Sequence, residues 1–110
     1  MRIVLGCLVA VGVMTGSADA QTSRAIGAGI ASCRTWAANR LYPGSGLALQ
    51  DGQWILGFLS GVGWLGTPRL NPLDGMDAQA VFAWVDNYCH ANPLENIAHA
   101  GDAFVEAHPR

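Results

Sequence analysis

Three histidines are the first residues to test for chemistry. His99 follows Glu95 by four positions and precedes Asp102 by three, a spacing that sets all three on one face of a helix. An imidazole between two carboxylates could move a proton near neutral pH or share in binding a divalent cation. No second stretch of the chain supplies a further ligand, so the trio reads first as a solvated polar face with ordinary ion pairing. His90 follows Asp86 by four near the expected end of a helix, where the dipole favours a positive imidazole and capping outranks catalysis. His108 stands in the tail and carries no signal. Ser60 lies in Gly57-Phe58-Leu59-Ser60-Gly61, which lacks the strand-to-helix elbow of a hydrolase nucleophile and puts the serine in the wrong place for that motif. Paired carboxylates, phosphate-cradling loops and metal motifs are equally lacking. The expectation is binding rather than catalysis, with no cofactor and no metal.

The cysteines carry the next signal. Arg2, the apolar run Ile3 to Met14 and the small-residue triplet Ala18-Asp19-Ala20 before Gln21 have the order of a secretory signal peptide over residues 1–20. The apolar run is shorter than the roughly 20 residues a membrane span needs, so no stable membrane anchor is expected. Cys7 sits at the start of that run, not after it as in a lipoprotein, and would leave with the peptide. The remaining pair, Cys33 and Cys89, in an oxidising compartment most simply forms one disulfide, in preference to two free thiols or a metal site. The expected location is the periplasm or the medium.

The elements that must position these residues are helical. Residues 21–110 form one expected domain, with 21–31 a loosely ordered lead-in. Ser32 is placed to cap a helix from Cys33 to about Leu41, and Tyr42-Pro43-Gly44-Ser45-Gly46 ends it. A second helix runs from Leu47 through Gln50 and Gln53 into the stretch Trp54 to Trp64, which is apolar almost all round, with Gly57 and Gly61 one turn apart as an expected close-packing seam. Leu65 to Met76, with Gly66, Pro68, Pro72 and Asp74-Gly75, is a loop that could lie across the core. Asp77 caps a third helix ending near Ala91. Asn92, Pro93 and Glu95 together predict the start of a fourth helix, with Leu94, Ile97, Gly101 and Phe104 in its buried stripe. No strand-period segment or internal repeat is present. The fold class is therefore all-α, a small bundle of about four helices with one disulfide.

Charge narrows the partners. The full chain carries six basic residues, all arginine, against eight acids. Singly scattered arginines make no stripe for phosphates, so nucleic acid is not expected as a partner, and no basic cluster suits an anionic membrane. Of the four tryptophans, Trp64 stands at the mouth of the Pro- and Gly-rich loop. It is expected to be partly exposed, with Leu70 and Leu73 completing an apolar protein-contact patch.

Cys33 with Trp36, then Gly57 to Gly61, then Tyr88-Cys89 followed by Asn92-Pro93-Leu94, resembles two groups of small bacterial periplasmic proteins. These are the HdeA-like acid-stress chaperones and the Rap/Tai-type immunity proteins of type VI secretion. The resemblance implies a helical fold with a disulfide between an early helix and the helix before the last. It also implies action by binding protein, as an immunity-like inhibitor or, alternatively, as an acid-activated holdase. The chain departs from the chaperones in its few charges, and from the immunity group in lacking a cysteine near its C-terminus.

Overall fold

A computed structural model describes residues 24–66 and 70–109, together with Gly6; the rest of the expected signal peptide, with Cys7, lies outside the described residues. A short 3-10 helix, Gly27–Ile30, leads into four α-helices: α1 (Cys33–Arg40), α2 (Gly46–Leu65), α3 (Ala78–Ala91) and α4 (Ile97–Ala107). Each α-helix starts on a side-chain cap. Ser32, Ser45, Asp77 and Asn96 accept from the backbone N–H three residues on, which satisfies a donor the first helical turn would otherwise leave open.

The Cys33–Cys89 disulfide joins α1 to α3 across 56 residues of sequence, with the Cα atoms 4.8 Å apart. It begins an antiparallel ladder. One turn along from Cys33, the Trp36 indole N–H donates to Asp86 Oδ1 at 2.7 Å. One further turn along, Arg40 grips the same carboxylate with two bonds, Nε to Oδ1 at 3.0 Å and Nη2 to Oδ2 at 3.1 Å. The Arg40 guanidinium also lies 5.4 Å from the Phe82 ring centroid. Positions 33, 36 and 40 thus share one face of α1 and meet 89, 86 and 82 of α3 in register. Asn39 Nδ2 donates to Asp51 Oδ2 at 2.7 Å, tying α1 to α2 and satisfying a carboxylate that is only 5% exposed. Among the described residues no buried side-chain nitrogen or oxygen lacks a hydrogen bond, as the cost of burying an unpaired polar group requires.

The start of α4 departs from the sequence expectation. Asn92 closes α3, its backbone N–H bonding Tyr88 O at 2.9 Å, and residues 93–95 form a turn before Asn96 caps the helix. Leu94, expected in the buried stripe, is 84% exposed. Tertiary pairing accounts for the shift. Cys33 N–H donates to Glu95 O at 2.7 Å and Ile97 N–H donates to Ala31 O at 3.0 Å. Each helix start therefore satisfies its first amide on the carbonyl that precedes the other's cap. Residues 93–96 cannot wind into α4 and keep that exchange.

The expected glycine seam is also relocated. A Cβ added at Gly57 or Gly61 would meet nothing within 4 Å. Close approach instead uses Gly101, where a Cβ would stand 2.8 Å from the Phe58 ring and 3.0 Å from Ile55, and Gly52, 2.9 Å from Phe82. Only one stripe of α2 is buried, through Ala48, Gly52, Ile55 and Leu59. The described part of the lead-in, from Arg24, packs on α2 and is not loose: Gly29 is buried beneath the Trp54 indole, which overlaps the space a Cβ would need there, and Trp54 Nε1 donates to Ile26 O at 2.9 Å. Gly27 takes a positive φ of 88°, which lets the chain turn over that ring. Ile55, Leu59, Val81, Val85, Ile97 and Phe104 are fully buried at the centre. No described helix is long and apolar enough to cross a membrane.

Candidate protein-contact site

The last turns of α2 run past the core. Leu59 is fully buried, but Trp64 is 88% and Leu65 is 90% exposed. Gly66 ends the helix, its N–H bonding Val62 O at 2.8 Å. A Cβ there would meet Val62 O at 2.5 Å and Leu70 Cβ at 3.1 Å, so the returning chain needs a glycine at this point. Residues 67–69 lie outside the described residues.

The loop then turns back beneath the helix end. Asn71 N–H reaches Pro109 O at 3.4 Å, and the turn over 72–75 closes with Asp74 N–H to Asn71 O at 3.1 Å and Met76 N–H to Leu73 O at 2.9 Å. Gly75 supplies the positive φ of 70° that this turn uses. Pro72 is fully buried. Gly63 leaves room on the α2 side, with Asn71 Oδ1 3.6 Å from where its Cβ would be.

Between helix and loop lies an open groove of about 610 Å³ lined by Leu59, Ser60, Trp64, Leu70 and Leu73, among others. The structure thus brings Trp64, Leu70 and Leu73 to one groove. Their environments differ: Leu73 packs against the core and Leu70 is half-buried, whereas Trp64 stands out in solvent. A tryptophan buries roughly 150–250 Å², which at about 25 cal/mol per Å² offers about 4–6 kcal/mol before the entropic costs of association. Ser60 lines the same groove, and none of the described residues lining it is titratable.

The other sequence candidates fall elsewhere. His99 Nδ1 meets Glu95 Oε2 at 2.5 Å on an exposed face, while Glu95 itself precedes α4. Among the described residues no group of three or more His, Cys, Asp or Glu is arranged to hold a metal ion. Asp86, expected beside His90, is turned to Arg40 and Trp36 instead, because those donors bury against α3 while His90 stays exposed. His108 is not a loose tail residue. Its ring stacks on Phe104 at 4.1 Å between centroids, and Nδ1 lies 2.8 Å from Phe104 O.

Sequence reasoning missed the Arg40–Asp86–Trp36 cluster. The signal was present in the seven-residue spacing of Cys33, Trp36 and Arg40, which marks one helix face once the disulfide partner is fixed. Burial, followed by the Glu95, Asp102 and Glu106 carboxylates, raises the Tyr88 phenol above its ordinary value of 10.0. Comparison with protein-family models, curated proteins and solved structures finds no match.

Proposed function

We propose that this protein is an exported, non-enzymatic protein-binding module of the immunity-like inhibitor type, which grips a periplasmic effector through the Trp64 end of α2. The observation that carries the reading is the 88% exposure of Trp64 beside an equally exposed Leu65. Large aromatic side chains left in water at the rim of a groove are the usual anchors of protein interfaces. The capped, disulfide-tied helices behind the groove supply a rigid mount, which lowers the ordering cost of binding. The test is capture from periplasmic extract with the oxidised protein. A discrete partner at fixed stoichiometry supports the proposal; reproducible absence of any such partner removes it.

The second reading, an acid-activated holdase, draws on a separate observation. Asp86 accepts three hydrogen bonds from α1, so a single carboxylate carries the polar tie between α1 and α3 beside the disulfide. Dye binding and client protection measured between about pH 5 and pH 2, the carboxylate range, decide it. A gain on acidification favours the holdase, and no gain excludes it.

A further inference from the structure

A second cleft, sharing no described lining residue with the Trp64 groove, lies where the lead-in crosses α2 and α4. It encloses about 460 Å³ and is more closed than the groove; its walls include Ile30, Trp54, Phe58, Arg24, His99 and Asp102. That volume falls within the usual range for small-molecule sites. One side is apolar and fixed. Trp54 and Phe58 stack with centroids 5.6 Å apart and planes 7° from parallel. The Trp54 ring is held at its edge by the bond to Ile26 O and from below by Gly29.

The other side is polar and amphoteric. Arg24 and Asp102 both line the cleft, yet neither forms an ion pair among the described residues, where the pairs are Arg40 with Asp86 and His99 with Glu95. His99 Nδ1 is committed to Glu95, which leaves Nε2. The side-chain oxygen of Asn96 is committed to the His99 backbone N–H at 2.8 Å, which leaves its amide N–H₂ at the start of α4, where the helix dipole favours an anion. Two opposite charges that share a cleft without neutralising each other, over a rigid aromatic wall, match a ligand carrying both charges and an apolar body.

We propose that this cleft binds a small zwitterion with an apolar side chain, a free α-amino acid or a dipeptide. Its ammonium sits on Asp102, its carboxylate on Arg24 and the Asn96 amide, and its side chain lies against Trp54, Phe58 and Ile30. An ammonium or a carboxylate alone leaves one cleft charge without a partner. The lost charge-assisted hydrogen bond corresponds to about tenfold in affinity.

The test is titration of the oxidised protein, followed through the NMR signals of the Trp54 indole N–H and the His99 backbone amide. The probes are phenylalanine, the dipeptide Ala-Phe, phenethylamine and 3-phenylpropionate. The proposal expects saturable shifts at both signals for phenylalanine or Ala-Phe, at least about tenfold tighter than for either single-charge probe. Which of the two zwitterions binds more tightly identifies the source. Asp102→Asn should abolish the advantage over 3-phenylpropionate, and Arg24→Gln the advantage over phenethylamine. Both side chains are exposed, and an unchanged helical circular dichroism spectrum confirms that each variant is folded. No saturable shift with either zwitterion, equal binding of a single-charge probe, or an advantage unchanged in both variants overturns the proposal.

Discussion

Replacing Gly57 or Gly61 by alanine tests where the bundle is close-packed. Glycine inside a helix costs about 1 kcal/mol relative to alanine, through backbone entropy. At both positions an added Cβ meets nothing within 4 Å, so no steric term opposes the gain. Each substitution should stabilise the protein by about 0.5–1 kcal/mol. For a domain of this size, 1 kcal/mol moves the melting temperature by roughly 4–8 °C.

Gly101→Ala is the internal control. Its Cβ would stand 2.8 Å from two atoms of the Phe58 ring, and that ring is stacked on Trp54 and cannot swing away freely. Overpacking of this kind costs about 1–3 kcal/mol and outweighs the propensity gain. Urea unfolding followed by circular dichroism, with the disulfide intact, measures all three. A loss of stability for Gly57→Ala and Gly61→Ala comparable to that of Gly101→Ala would refute the packing described for α2.

The disulfide spans 56 residues, for which the chain-entropy model gives about 4 kcal/mol. Mass spectrometry without reductant should show Cys33 joined to Cys89, and the Cys33→Ala/Cys89→Ala variant should lose a large part of its stability to urea. Asp86→Ala strips the Trp36 indole and Arg40 of their shared acceptor. Because Asp86 is 40% exposed in its side chain, the expected loss is about 1–2 kcal/mol after solvent screening, read from the same unfolding curves; no loss would mean the cluster contributes nothing. The Tyr88 phenol is raised by burial and by neighbouring carboxylates, so the folded state holds that proton more tightly than the unfolded chain. Its stabilising contribution is complete below pH 10 and is lost as pH rises through the folded value. Stability curves should fall there for the native protein and fall less for Tyr88→Phe, and identical alkaline slopes would contradict this.

How much of this was legible depended on whether the signal was local. Ser32 and Asp77 cap their helices as read, because capping needs only a side-chain oxygen three residues before an amide. The Cys33–Cys89 pairing followed from cysteine arithmetic. Asn92-Pro93 carried an equally good local signature for a helix start, and there a long-range exchange between Ala31, Cys33, Glu95 and Ile97 prevailed. Gly57 and Gly61 had the spacing of a seam, but which glycine edge meets a neighbour depends on helix rotation in the bundle, which spacing alone does not fix. Gly101 and Gly52 took that role. Trp64 was distinguished from Trp36 by its place beside a Pro- and Gly-rich loop, and the two lie at opposite extremes of burial. The amphoteric cleft was invisible because Arg24, Trp54 and Asp102 come from three segments that only folding brings together.

Side-by-side capture with the native protein and Trp64→Glu asks whether Trp64 anchors a protein partner. The side chain makes little contact with its own fold, so the variant should melt within about 0.5 kcal/mol of the native protein. A buried interface anchor is worth about 2 kcal/mol or more, roughly 30-fold in affinity. A discrete partner should be retained by the native protein and lost by Trp64→Glu. Equal retention by both, with the variant still folded, would contradict it.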